Sequence, residues 1–430
     1  MQVGFALLEV GSIRLKNTSN ILLKNCLDTM IGAIMFFLLG YGLLQNQEGG
    51  VIGMYKFAGQ GFNSKDYLHC LFQFAFCATS STIISGAVAE RIFVDTYFVY
   101  SIIVSGFVYP IAAGWGWGGG WLNTIGYKDF SGSGLVHLLG GTSAFWATYF
   151  LGPRLGVFGK QTAQNLIDLK NQQQNAKRKT HRISPINNSE TDREEGQSHN
   201  IMETQRGMVS FDNMTFEESV GFSMNRRIQL FKKEYKEFEK LPNDNLRHLI
   251  DLYDQNFDTR IESSNLNSIV STIVERHHGN IPQKTVMNTL LSGSICSLTV
   301  FWLKPKFMKK SSQVTQYHIV NVVNGMLAGL VSITGACNNV TNYNALVIGL
   351  VGAIVYICAC KLLLLLKIDD PLEASQIHGF CGLWGALAPG IFDEDSGAVY
   401  TQSMHQFGMQ TIGALALILW ATLFSSATPL

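Results

Sequence analysis

Asp129-Phe-Ser-Gly-Ser-Gly-Leu-Val-His137 and Asp370-Pro-Leu-Glu-Ala-Ser-Gln-Ile-His378 share one pattern, an acid with a histidine eight positions on, in two apolar stretches far apart in the chain. Each Asp stands where a charged loop gives way to a hydrophobic run, and each His falls about two helical turns inside. An ionisable side chain at that depth in lipid is costly. It usually faces a pore or a polar cavity and marks a substrate or proton path. Internal repeats that each contribute to one central site are a common transporter design. The pair therefore predicts an all-α integral membrane protein with a transport function.

Outward from this pair, the chain divides by charge. Hydrophobic residues make up 47% of it and charged residues 15%. Of the 63 charged side chains, 36 lie between Lys160 and Lys284, which leaves the remainder nearly uncharged, as bilayer-embedded helices require. A net charge of +1 gives no footprint for a nucleic-acid partner. The eight cysteines lie almost all in apolar segments without Cys-x2-Cys spacing, and read as small buried hydrophobes rather than disulfides or zinc ligands. The short apolar start meets Glu9 without a basic leader, so no signal peptide is read there.

Crossing roughly 30 Å of hydrocarbon takes about 20 apolar residues. Thr29 to Gln47, Tyr67 to Ala89, Thr96 to Trp117, Ser133 to Leu151 and Val286 to Leu303 meet that need. Ser311 to Cys360 carries no Asp, Glu, Lys or Arg, and the Gly-Ala-Cys-Asn-Asn-Val-Thr-Asn stretch at 335–342 divides it into two spans. Ala374 to Phe392 and His405 to Phe424 complete nine, after an N-terminal stub from Met1 to Ile13. Arg14, Lys16 and Lys24, then Arg154 and Lys160, then Lys304, Lys306, Lys309 and Lys310, mark cytoplasmic loops, and Asp393–Asp395 mark an external one. The chain enters the cytoplasm at Arg154 and must re-enter it at Lys304 through one visible span, so one crossing is missing between them. The reading gives membrane halves at 1–158 and 286–430 around a hydrophilic, partly disordered insertion at 159–285.

Four blocks carry a resemblance to a known family: Gly-Phe-Ala-Leu-Leu-Glu-Val-Gly-Ser-Ile-Arg-Leu-Lys-Asn at 4–17, Ser-Gly-Ala-Val-Ala-Glu-Arg at 85–91, the block from Asp129 to Arg154, and Asp-Asp-Pro-Leu-Glu-Ala-Ser-Gln-Ile-His-Gly at 369–379. Together they resemble the ammonium transporter family, closer to its plant-like branch than to the Rhesus glycoproteins. The resemblance implies an inverted-repeat bundle of eleven helices, one pore per subunit, a homotrimer, ammonium or ammonia as substrate with methylammonium as analogue, and no chemical cofactor. It also accounts for the missing crossing. The family's sixth helix has no counterpart here, the first is truncated and the C-terminal tail is absent, so the chain reads as incomplete. Plasma membrane is the expected location, with the insertion starting on the cytoplasmic side. An ammonium-sensing or regulatory membrane protein with little flux, or a non-functional fragment, are the alternative readings. Enzyme activity has no supporting cluster.

By the same resemblance, His137 and His378 form the twin-histidine pore, Trp117 and Phe76 the external recruitment site, and Phe72 with Phe76 the gate. Phe72 and Phe76, four apart, share one helical face, and Phe74 should point elsewhere. A desolvating cation is attracted to ring faces by about 1–2 kcal/mol. The vestibule hydroxyl that the family draws from its sixth helix has no assignable residue. Asp129 is expected to cap the helix that bears His137 and, by resemblance, to support the vestibule carbonyls; Asp370 is expected to cap symmetrically. Glu90–Arg91 reads as a local ion pair. In the insertion, the apolar frame at 246–273 around Asp254, Asn256 and Asp258 resembles an EF-hand, but Thr259 replaces the turn glycine and Asn265 the bidentate glutamate. It is a weak calcium candidate, and a degenerate structural EF-hand or an amphipathic hairpin fits it better.

Overall fold

The computed structural model describes residues 2–45, 47–154, 157–158, 281–308 and 319–427. One compact unit comprises Met1–Asp168 with Gly279–Leu430. The other, Leu169–His278, lies outside the described residues, and so do the EF-hand-like frame and its calcium candidates Asp254, Asn256 and Asp258.

The described residues are helical, without strands. Helix α1 is Gln2–Ser12. Helix α2 is Thr18–Met35 and runs on through a π-helical turn, Phe36–Gly40, into Tyr41–Leu44. Helix α3 is Ser64–Ala87, opened by an Asn63 capping box with Asp66. Helix α4, Val94–Ile103, continues through π-helical Val104–Val108 to Trp117. Helix α5, Leu139–Leu151, follows the π-helical turn Ser133–Leu138. In the second half, α6 is Ile281–Phe307, α7 Ile319–Ile333 and α8 Asn342–Leu365, capped by Thr341. Helix α9, Cys381–Phe392, follows the π-helical turn Ser375–Phe380, and α10 is His405–Ala427.

Six of these runs are long and apolar enough to cross a bilayer by length and composition. The shorter α7 and the two histidine-bearing runs, 133–151 and 375–392, supply the rest of the nine spans read from the sequence. Large apolar side chains point outward in helical stripes: Met30 and Ile34 on α2, Leu415, Leu419 and Leu423 on α10. In water such stripes would be a liability; against acyl chains they are solvated. The protein is an all-α, multi-pass membrane protein.

Span ends differ from the sequence reading at three charges. Lys24 and Asp28 lie inside α2, and Lys304 lies inside α6, all three buried. Lys24 Nζ donates to the Ile92 carbonyl at 3.0 Å, while Ser81, Thr82 and Ser101 hydroxyls donate to the Asp28 carboxylate. Tertiary partners make these charges tolerable where a local count takes them for loops. Glu90 and Arg91 are not a local pair either. Glu90 binds Arg154 at 2.8 Å and Arg14 at 3.3 Å, and Arg91 reaches Asp369 at 3.7 Å. Two cysteines, Cys26 and Cys358, face outward; the other six are buried.

The two histidine-bearing runs lie antiparallel, tied at each end. Lys128, before the first, binds Asp393, after the second, at 2.8 Å. Arg154, after the first, binds Asp369, before the second, at 2.8 Å. Glycine permits their closest approach: a Cβ on Gly141 would stand 2.0 Å from the Gly379 nitrogen.

Candidate functional site

The repeated motif folds the same way twice. Both histidines fall in six-residue π-helical turns, Ser133–Leu138 and Ser375–Phe380, where the usual i to i−4 bonding is displaced by one residue. Such turns are frequent at functional sites because they re-aim one side chain without ending the helix. Here they bring the rings of His137 and His378 together. The imidazoles stack with centroids 5.1 Å apart and planes 18° apart, and Nδ1 meets Nδ1 at 3.1 Å. Only one proton fits between two facing nitrogens. Whichever ring donates, its Nε2 is then an acceptor, and the other ring's Nε2 carries the remaining proton. The pair thus offers one donor and one acceptor.

Asp129 fixes the first of these turns more firmly than a single cap would. Its Oδ1 accepts from the Gly132 and Ser133 amides, both at 2.9 Å, and its Oδ2 from Gly134 and Leu135 at 2.9 and 2.8 Å. All four orphan amides of the helix start converge on one carboxylate. Asp370 is the weaker counterpart. Its Oδ2 accepts from the Ser375 amide at 2.7 Å, whereas its buried Oδ1 has no partner.

A cavity of about 510 Å³ holds both histidines and Phe76, walled mainly by apolar groups including Phe5, Val136, Val323 and Leu327. Phe76 lies 5.2 Å from Trp117, centroid to centroid, and Trp117 Nε1 donates to the Asp129 carbonyl at 2.7 Å. The indole is thus anchored to the residue that organises the His137 turn. Phe72 packs edge-on to Phe76 at 5.1 Å, but it is 57% exposed and does not line the cavity. Phe74 turns toward Phe36. The sequence reading did not single out Phe5, which faces His378 at 6.3 Å from α1. Gly4, its neighbour, lines the same cavity.

A second polar group was also missed. Lys304 Nζ donates to both Glu373 carboxylate oxygens and to the Tyr356 hydroxyl, each at 2.7 Å, and Asn324 Nδ2 donates to Glu373 at 2.8 Å. At the loop ends the charges are satisfied as well. Burial opposes ionisation of Asp369, but hydrogen bonds from the Arg154 guanidinium and amide outweigh it and hold the carboxyl below the usual range. Glu90 behaves likewise: burial raises its pKa, and Arg154 above all brings it below normal. Among the described residues, no group of three or more His, Cys, Asp or Glu is placed to hold a metal.

Comparison with known proteins agrees with this architecture. A putative ammonium transporter of Synechocystis sp. is 33% identical, with the match covering 98% of this chain and 77% of that protein. Putative ammonium transporter 1 of Caenorhabditis elegans is 29% identical over 98% of this chain and 69% of its own length. Among solved structures, one titled Sensor Amt Protein superposes with a TM-score of 0.65 at 24% identity, covering 99% of this chain and 87% of that one. Mep2 of Saccharomyces cerevisiae superposes with a TM-score of 0.62 at 20% identity, covering 95% and 76%. These likenesses fix the fold. A family model described as Ammonium Transporter Family matches residues 1–170 and 266–428, and the chain belongs to that family.

Proposed function

We propose that this chain moves ammonium or ammonia across the plasma membrane through a twin-histidine pore in each subunit of a homotrimer. The observation that carries the reading is the stacked His137–His378 pair inside the largely apolar cavity. Two imidazoles sharing one proton resist protonation together, since a second charge would be repelled and desolvated. The neutral pair offers hydrogen bonds to ammonia, or a relay for a proton, and gives a bare potassium ion nothing to replace its hydration. Trp117 and Phe76 recruit the cation by ring-face attraction at the outer end, Phe76 with Phe72 beside it forms the gate, and Asp129 holds the vestibule backbone in place. The halves 1–158 and 286–430 form the pore, and the 159–285 segment begins on the cytoplasmic side.

The test is methylammonium uptake in transport-deficient cells, comparing the chain with a His137→Ala, His378→Ala double variant at equal surface expression. Uptake that the double change abolishes or makes unselective supports the pore. Intact, selective uptake in the double variant refutes it. The similar structure titled a sensor favours a second reading, binding without conduction, and membrane-inserted protein with no flux in either form would support that one.

A further inference from the structure

Beside the pore cavity lies a second, polar cavity of about 280 Å³, lined in part by Lys304, Asn324, Asp370, Glu373 and Arg154. The two share α7 as a wall: Val323 and Leu327 face the pore cavity, and Val320 and Asn324 this one. Within it, the head group of Lys304 sits in a cage. Its three N–H donors, the full number an ammonium on a carbon stem carries, meet Glu373 Oε1, Glu373 Oε2 and the Tyr356 hydroxyl at 2.7 Å each. The nitrogen also lies 4.6 Å from the Tyr356 ring centroid. The Tyr356 hydroxyl and Asn324 amide donate to Glu373 in turn, fixing the carboxylate. Lys304 is 2% exposed, so its end of the cage is desolvated, while the Glu373 side chain keeps 24% of its surface. Asp370 also lines this cavity; it is 8% exposed, and its buried Oδ1 has no hydrogen-bond partner.

A carboxylate, a phenolic oxygen and an aromatic face around one nitrogen are what a small ammonium cation requires once its water is removed. We propose that this cage is a binding site for an ammonium-type monovalent cation, occupied in the resting protein by the chain's own Lys304 as a tethered ammonium, which keeps free cation out of the Asp370 end of the molecule. The inference deepens the proposed transport of ammonium by assigning a second site of the same ligand chemistry. Potassium has no N–H to direct at these acceptors and needs a fuller shell of oxygen ligands than two carboxylate oxygens and one phenol supply, so the cage favours the ammonium.

The experiment is a thermal unfolding series on the purified full chain in detergent. Lys304→Ala removes the tethered ammonium and leaves the Glu373 carboxylate with neutral donors but no counter-charge, so its Tm falls. Methylammonium chloride, whose cation reproduces the lost Cε–Nζ end, is then expected to raise the Lys304→Ala Tm toward wild type, well beyond any shift it gives wild type. Potassium chloride at equal ionic strength is expected to leave it unmoved, and a Lys304→Ala, Glu373→Gln double variant is expected to show no such rescue. An equal methylammonium shift in wild type and variant, an equal effect of potassium, or undiminished rescue in the double variant would each overturn the assignment. If Lys304→Ala fails to yield folded protein, the monodisperse fraction recovered with and without methylammonium during extraction gives the same comparison, and no gain again overturns it. The readout is occupancy of the cage rather than flux, so a chain that proves not to conduct leaves this result standing, and a conducting chain whose cage is not rescued refutes this proposal alone.

Discussion

Asp129→Asn isolates the link from a buried carboxylate to the position of His137. In the native turn the carboxylate accepts four backbone amides at 2.8–2.9 Å. Asparagine keeps one acceptor oxygen, able to serve two of them, and turns an NH2 group toward the other two. Hydrogen bonds to a charged group contribute about 1.5–3 kcal/mol each, so two lost bonds come to roughly 3–6 kcal/mol before relaxation. That is a large share of a net stability of order 5–15 kcal/mol. Asp370→Asn is the internal control, because a single backbone amide, that of Ser375, bonds that carboxylate beside the Gln376 side-chain amide, and the oxygen that asparagine keeps can serve both; the expected loss is at most about 1–3 kcal/mol. Thermal unfolding in detergent, with uptake measured at equal surface expression, should rank Asp129→Asn well below Asp370→Asn on both axes. Equal Tm losses, or a larger loss for Asp370→Asn, would refute the idea that the first turn depends on its acid more than the second does.

The remaining expectations concern the contacts around this turn. Gly141→Ala would put a methyl group 2.0 Å from the Gly379 nitrogen, forcing the two histidine turns apart; uptake should fall at least about tenfold while the helices remain folded by circular dichroism, because overpacking strains a site more than it unfolds a bundle. Trp117→Leu removes a ring face worth about 1–2 kcal/mol to a desolvated cation, so half-saturation for methylammonium should rise roughly five- to thirtyfold with a smaller change in maximal uptake. Asp369 and Glu90 have folded pKa values below their unfolded ones, so their stabilisation is present above roughly pH 4 and disappears as pH falls through the lowered folded values. Wild-type Tm should therefore fall steeply below about pH 4, and the slope should flatten in Arg154→Gln. Lys128→Met should cost about 1 kcal/mol, since Lys128 is 39% exposed and Asp393 keeps donors from Asn339 and Ser396, against roughly 3–5 kcal/mol for Arg154→Met, which strips the nearest cation from two buried carboxylates at once.

How much of this was legible from the residues depended on whether the cause was local. The nine spans, the division near 335–342 and the histidine pair follow from runs of hydropathy and from a motif that repeats, and each is visible in a short window. Span ends at Asp28 and Lys304 were misplaced because their partners lie far along the chain: Ser81, Thr82 and Ser101 for the first, Glu373 for the second. A charge count sees the carboxylate but not the hydroxyls that solvate it. The same holds for Glu90 and Arg91, adjacent in sequence yet bonded to Arg154 and Asp369. Phe5 was missed because a short apolar stub carries no sign of which face meets a cavity. Its opposition to His378 exists only once α1 is packed.

The repeat that brings the two histidines together also conceals an asymmetry between its halves. Both motifs read Asp, seven residues, His, and both make a π-helical turn, so the sequence predicts two equivalent halves. The surroundings divide them. On the first side the acid is saturated by four amides, and its own carbonyl receives the Trp117 indole N–H. On the second, Asp370 keeps a bare oxygen, and the residue three places on, Glu373, holds a left-handed φ of 58° while it grips Lys304. Such a backbone in a non-glycine residue is maintained only when its surroundings over-determine it, and here three side chains do so. The spacing of the repeat places the histidines; what stands beside each acid sets an indole on the first side and a lysine–glutamate pair on the second. If the proposed pore conducts, uptake and efflux measured at equal gradients are therefore expected to differ, even though the two imidazoles are related by nearly the same local fold; equal rates would refute a functional role for this asymmetry.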